Sequence, residues 1–182
     1  KNYLADAPGQ VLALTATLPD AAAAACRELR PQMQFMADRA PRTNLQLVDR
    51  RGIGQKNRYL LRLALSGQKT LCYVNSRKQA LEIAKKLRLN LPYSLRHTVG
   101  YYHGGLNRKA REWLQGEFEK GNLRLLVATT AFGEGINLPD VRHVVLYHLC
   151  FSKEAFNQLA GRAGRDGKEA YIHLIYGERD QA

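Results

Sequence analysis

From Leu45 onward, short runs rich in Val, Leu and Tyr alternate with longer runs of helical character. This alternation constrains the fold more than any other feature of the chain. Strand-like runs fall at Leu45–Val48, Thr70–Asn75, Val99–His103, Leu123–Ala128, Val141–Tyr147 and Ala170–Tyr176. Helix-like runs fill most of the gaps, at Asn57–Leu65, Lys78–Leu87, Arg108–Glu119 and Lys153–Gly164. A strand with one wet face alternates apolar and polar residues; a strand covered on both faces does not. These runs show little polar alternation, so the pattern predicts an α/β fold, a parallel sheet with helices on both faces. Upstream, Val11–Thr15 predicts a short strand, Pro19 the start of a helix over Ala21–Leu29, Gln32–Met36 another strand, and Asp38–Asn44 a linker.

In such a sheet, functional groups gather at the carboxyl ends of the strands. The candidates are Asn75-Ser76-Arg77, His103-Gly104-Gly105, and Thr129-Thr130 with Gly133-Glu134-Gly135. Each set follows a strand-like run and is rich in small polar residues or Gly. Exposed N–H groups and hydroxyls at such loops suit phosphate oxygens. Ser76 is placed to cap a helix that begins at Arg77. His103 either faces a phosphate or caps the strand end.

A fourth candidate is the run Gln158-Leu159-Ala160-Gly161-Arg162-Ala163-Gly164-Arg165-Asp166-Gly167. Read as a helix stopped by Asp166-Gly167, it puts Gln158, Arg162 and Arg165 at i, i+4 and i+7, on one face. Gly161 and Gly164 would each cost that helix about 1 kcal/mol against Ala. Two readings fit: a pair of guanidinium forks presented to an anion, or a solvated basic helix end that complements the helix dipole.

Charge favours the first reading. Lys and Arg total 28 against 16 Asp and Glu, a net +12 that suits a polyanionic partner, nucleic acid foremost. No apolar run approaches the roughly 18 residues needed to span a bilayer, and no Lys-rich amphipathic segment suggests a membrane surface, so no membrane partner is expected. Cys26, Cys72 and Cys150 are too scattered for a disulfide framework and read as reduced thiols of a cytoplasmic, nucleoid-associated or nuclear protein. His97, His103, His143, His148 and His173 show no metal-ligand spacing, and no metal site is expected. Trp113, near Ala110, Leu114 and Phe118, reads as helix packing, and Lys85-Lys86 with Arg88 and Arg96 as a solvated basic face.

Together the segments form a series. Leu14-Thr15-Ala16-Thr17 resembles the Thr-Ala-Thr motif that closes the first lobe of superfamily 2 helicases. Cys72-Tyr73-Val74-Asn75-Ser76-Arg77 is similar to their fourth motif, and Tyr102-His103-Gly104-Gly105-Leu106 to the element that follows it. Val127 to Asn137 resembles the fifth motif, and Gln158 to Arg165 the sixth, Gln-x-x-Gly-Arg-x-Gly-Arg. The order is right and the motifs span nearly the whole chain. Ala131-Phe132-Gly133, Asn137-Leu138-Pro139-Asp140-Val141-Arg142, Gly161–Gly167 and Arg42-Thr43-Asn44-Leu45 look most like RecQ-type DNA helicases. RecQ proteins usually carry Met where Glu134 stands, and Tyr-Tyr-Gln-Glu where Phe156-Asn157-Gln158-Leu159 stands.

The resemblance implies a RecA-like fold and an ATP site, with Mg²⁺, shared between two lobes. Residues 1–38 would be the end of the first lobe, 39–44 a linker and 45–182 the second lobe. Arg162 and Arg165 would be the arginine fingers, with Gln158, Gly135 and Asn137 near the nucleotide. Asn75, Ser76, Arg77, His103, Gly104, Thr129 and Thr130 would hold the backbone of single-stranded or forked DNA, or of RNA. The partners are then nucleic acid and the first lobe of the same chain, in repair or recombination. Neither a Walker A loop nor an Asp-Glu box occurs in the sequence, so the chain alone is expected to be inactive. Gly67-Gln68-Lys69-Thr70 lacks the adjacent Gly-Lys pair and reads as a turn. An RNA helicase lobe or a catalytically silent scaffold that binds nucleic acid are the competing expectations.

Overall fold

The computed structural model describes residues 18, 20–36, 41–133, 136, 138–150 and 152–177. The expected strand at Val11–Thr15, the Thr15-Ala16-Thr17 motif, and Glu134, Gly135 and Asn137 lie outside the described residues. The chain divides into two compact units, Lys1–Pro41 and Arg42–Ala182. In the first, Ala-rich α1 (Asp20–Leu29) is a good helix former and buries Ala23. Arg27 lies 4.6 Å over the ring of Phe35. Residues 32–36 are turn and coil, not the strand their sequence predicts.

The second unit is the expected parallel sheet. Its elements are β1 (Leu45–Asp49), α2 (Lys56–Leu65), β2 (Thr70–Tyr73), α3 (Arg77–Asn90), a 3-10 turn at Tyr93–Thr98, β3 (Val99–Tyr102), α4 (Arg108–Lys120), β4 (Leu125–Ala128), β5 (His143–Leu146), α5 (Lys153–Ala160) and β6 (Ala170–Leu174). The strand order is β1-β6-β5-β2-β4-β3, and every pairing is parallel. Period-2 alternation divides the core in two. Cys72, Val127, Val145 and Val99 face α2 and α3, against Leu60, Ala80, Ile83 and Leu87. Leu71, Leu126, Val144 and Ile172 face the other layer, with Leu114, Phe118 and Ala160 of α4 and α5. Every residue of β2, β4 and β5 is buried, which is why these runs lack polar alternation.

Caps fix where the helices begin. Ser76 Oγ accepts from Gln79 N at 3.1 Å, Asn107 Oδ1 from Ala110 N at 2.8 Å, and Ser152 Oγ from Ala155 N at 3.1 Å. Gly67–Lys69 is a short irregular link from α2 into β2, which begins at Thr70, and Lys69 pairs with Asp140 at 2.7 Å. Trp113 corrects an expectation. Leu114 and Phe118 take the core-facing positions of α4, and the adjacent Trp113 is 62% exposed. Arg88 and Arg96 are not merely solvated, since they donate to the carbonyls of Val99 and Leu91 at 2.7 and 3.2 Å.

A polar chain runs inside the sheet layer facing α2, between residues too far apart in sequence for any local pattern to show it. Gln68 Oε1 meets His143 Nε2 at 2.6 Å, His143 Nδ1 meets His173 Nε2 at 2.9 Å, and His173 Nδ1 meets Tyr59 OH at 2.8 Å. The amide oxygen only accepts, so His143 donates from Nε2 and accepts at Nδ1. His173 then donates from Nε2 and accepts the tyrosine proton at Nδ1. Two neutral rings satisfy every position, and burial holds both well below the ordinary histidine range, at about 4. Among the described residues no helix is long and apolar enough to cross a membrane, and no group of three metal-type side chains assembles.

Candidate nucleotide and nucleic-acid site

Strands β2, β4 and β3 are neighbours, so their carboxyl ends bring three loops together. Arg77, the first residue of α3, lays its guanidinium over the loop after β3. A Cβ added to Gly105 would sit 2.8 Å from Arg77 Nη1. Gly104 faces Ala131 in the loop after β4, where an added Cβ would make ordinary contact at 3.6 Å. Asn75, Ser76, Arg77, Gly104 and Thr130 are exposed, and His103 and Thr129 half-buried. Thus all seven residues named from sequence share one edge of the sheet. The lack of a side chain at Gly105 lets Arg77 approach this closely.

His103 resolves the two sequence readings in part. Its Nδ1 accepts from Gly105 N at 3.2 Å, which braces the turn. The neutral ring then carries its proton on Nε2, a donor available to an anion. The ring also stacks on Tyr101, with centroids 5.9 Å apart.

The loop after β4 continues from this edge to the two arginines. Arg162 lies against Gly133, where an added Cβ would be 3.0 Å from its Cζ. Arg162 Nη1 and Arg165 Nη1 both donate to the carbonyl of Ile136, at 3.3 and 3.4 Å. The helical reading of this run needs correction. Helix α5 ends at Ala160, residues 161–163 form a turn, and Gly164 has a left-handed φ of +52°. The arginines converge because both reach one backbone carbonyl, not because of helical spacing. Gln158 stays on the last turn of α5 and is exposed.

Electrostatics sharpen this convergence. Partial burial and the neighbouring charges of Arg162 and Arg42 lower the pKa of Arg165 from the usual guanidinium range. Like charges held close together gain most from an anion placed between them. Burial pushes the Tyr73 hydroxyl up, with Arg162 and Arg165 opposing, and that hydroxyl reaches the Phe132 carbonyl at 3.4 Å. The arginine-bearing turn is itself clamped. Arg142 pairs with Asp166 at 2.6 Å, and Gly164 N donates to Val141 O at 2.9 Å.

Arg42 also belongs to this region, and sequence reasoning gave it no role. It donates to the carbonyls of Gly161, Ala163 and Gly164, at 3.3, 2.8 and 2.6 Å. Its only sequence signal was its place in the Arg42-Thr43-Asn44-Leu45 stretch. A cavity of about 390 Å³ lies to one side, lined by Leu146, Cys150, Phe156, Leu174 and Tyr176 among others. None of the arginines lines it.

Similarity to known proteins shows the family and the fold. Residues 55–167 match the helicase conserved C-terminal domain. The chain is similar to the ATP-dependent DNA helicase RecQ of Pasteurella multocida, 41% identical over 120 residues, covering 66% of this chain and 18% of the relative. It is similar also to hus2/rqh1 of Schizosaccharomyces pombe, an ATP-dependent DNA helicase, 38% identical over 110 residues, 60% of this chain and 8% of the relative. Among solved structures, Saccharomyces cerevisiae Dbp5 bound to RNA and ADP BeF3 shares the fold. The TM-score is 0.72 at 23% identity, covering 91% of this chain and 44% of that one. The chain spans less than a fifth of the length of these two curated relatives. The motif series, the all-parallel RecA-like sheet and the family match lead to one conclusion: this chain belongs to the helicase conserved C-terminal domain family, and within it resembles the RecQ DNA helicases.

Proposed function

We propose that the chain is the second motor lobe of an ATP-dependent DNA helicase. Arg162 and Arg165 act as its arginine fingers, and the three strand-end loops hold the backbone of a single strand. The observation that carries this reading is the convergence of both guanidinium groups on the Ile136 carbonyl, at one end of the loop whose other end lies on the strand-end edge. ATP with Mg²⁺ supplies the phosphoryl group. The residues here fit such an anion, because two positive forks already share one weak acceptor. Residues 1–38 are the end of the first lobe, with 39–44 as the linker.

The chain's own contribution is to stabilise charge. As negative charge spreads over the transferred phosphoryl oxygens, a guanidinium aimed at them lowers the barrier, by a factor of about 10³–10⁵ in known fingers. Gln158 lies one turn upstream and positions the nucleotide. Glu134, Gly135 and Asn137 belong to the same loop by sequence. Arg77, His103 and Thr129 present a positive charge, a ring N–H and a hydroxyl to phosphates, which read backbone rather than base. By itself the chain turns over no ATP, since it carries no Walker A loop.

The test is steady-state ATP hydrolysis by the protein carrying both lobes, with saturating single-stranded DNA. Arg165→Ala is expected to lower kcat by about 10³-fold, and Arg162→Ala similarly, while ATP affinity changes far less. Parental rates in both variants would remove the finger assignment.

A further inference from the structure

We propose that Arg42 and Asn44 are positioning residues for the arginine fingers, and that they tie the finger geometry to the segment through which the chain enters the lobe. The proposal rests on the finger reading of Arg162 and Arg165.

The last carbonyls of a helix and of the turn after it have no intrahelical partner. After α5 these carbonyls belong to the turn that carries both arginines. Arg42 fills them from 119 to 122 residues away, through Gly161 O at 3.3 Å, Ala163 O at 2.8 Å and Gly164 O at 2.6 Å. Asn44 Nδ2 adds Gly164 O and Lys168 O, both at 2.8 Å. The Gly164 carbonyl therefore accepts from both residues. Backbone continues the tie, since Ala170 N donates to Asn44 O at 2.9 Å.

One atom links this latch directly to a finger. The Gly161 carbonyl accepts from Arg42 Nη1 and also from Arg165 Nε at 3.2 Å. Arg165 reaches on to the Ile136 carbonyl, which Arg162 shares. Arg42, Arg165 and Arg162 thus form a relay of cations separated by single carbonyl oxygens. Arg42 is also the first residue of its compact unit. The chain passes from the rest of the protein into the lobe at this point, and within three residues it is bonded to the finger turn. A shift of the entering segment moves Gly161 O, and with it the guanidinium of Arg165. A general stabilising stitch would have no reason to share its acceptor with a finger.

Four forms of the two-lobed protein test the assignment: Arg42→Ala, Arg42→Lys, Arg165→Ala and the Arg42→Ala/Arg165→Ala double variant. The measurements are DNA-stimulated kcat and KM for ATP, with thermal unfolding as a check on the fold. Arg42→Ala is expected to lower kcat by about 10–100-fold with KM nearly unchanged, the scale set by a misplacement of about 1 Å. Arg42→Lys keeps the charge and stem but not the fork, and is expected to fall close to Ala. In the Arg165→Ala background, Arg42→Ala should cost within about twofold of nothing, because both changes remove one interaction. Equal losses in both backgrounds would mean that Arg42 acts through general stability, and parental kcat in Arg42→Lys would remove the fork; either overturns the proposal. If Arg42→Ala unfolds early, the same cycle is run with Arg42→Lys. A slow Arg165→Ala with a parental Arg42→Ala defeats the latch alone, whereas a parental Arg165→Ala defeats the finger reading beneath it.

Discussion

Gly164→Ala should damage the lobe far more than Gly167→Ala, although both sit in the same turn. Gly164 has a φ of +52°, and Gly167 of +79°. Left-handed backbone costs a residue with a Cβ roughly 1–2 kcal/mol at either position. Space separates the two. A Cβ on Gly167 meets nothing within 4 Å. A Cβ on Gly164 would lie 2.7 Å from Asn44 Nδ2, 2.7 Å from the Lys168 carbonyl and 2.8 Å from Ala170 Cβ. Two of these neighbours cannot swing away: one is backbone, and Ala170 is a buried residue of β6. Overpacking of this kind adds about 1–3 kcal/mol. The total for Gly164→Ala is then about 2–5 kcal/mol, against about 1–2 for Gly167→Ala. In a domain of this size the larger loss lowers Tm by roughly 5–20 °C. Denaturant unfolding of the two variants beside the parent measures the difference, with an unchanged slope showing that stability alone has moved. Equal midpoints for the two variants would refute the claim that the turn is packed against Asn44, Lys168 and Ala170.

Two further outcomes follow from the same geometry. Arg77→Ala should weaken single-strand binding by a similar factor on unrelated sequences, and flatten the plot of log affinity against log salt by about 0.7 per charge removed; an unchanged slope places the strand elsewhere. Acid should destabilise the lobe through His143 and His173, whose folded pKa values are lowered to about 4. The unfolded rings take up protons near pH 6.5, so their contribution is complete above that pH and is lost as pH falls toward 4. Unfolding free energy measured from pH 7 to 4.5 should fall with a slope approaching two protons, and a flat profile would contradict the buried neutral pair.

The sheet was legible in the chain because burial on two faces leaves a plain mark: β2, β4 and β5 are buried throughout and carry only Thr70 and His143 as polar residues. The helix ends were less so. The spacing predicts a helix that bears Gly161 and Gly164 as a cost, yet α5 stops at Ala160, and Gly164 is where the backbone turns left-handed. Trp113 misled because its neighbours in sequence are core residues while its own position on α4 faces outward. Gln68, His143, His173 and Tyr59 meet only after the sheet is assembled, and Arg42 finds its acceptors more than a hundred residues downstream. No local pattern encodes such contacts.

The strand order has a consequence for dividing the molecule. The first strand of the lobe, β1, pairs along its full length with the last, β6, from Leu45 opposite Ala170 to Asp49 opposite Leu174. The lobe's first and last strands are therefore seamed side by side. Trimming either end strips the other as well: loss of β6 leaves β1 and Asn44 with no template, and loss of residues 42–49 exposes an edge of β6 that is otherwise covered. A piece intended to fold by itself must begin before Arg42 and continue past Leu174. Because the pairing is parallel, the chain enters at one end of that seam and leaves at the other, so joining its two ends takes a crossover of about a dozen residues or more rather than a short loop.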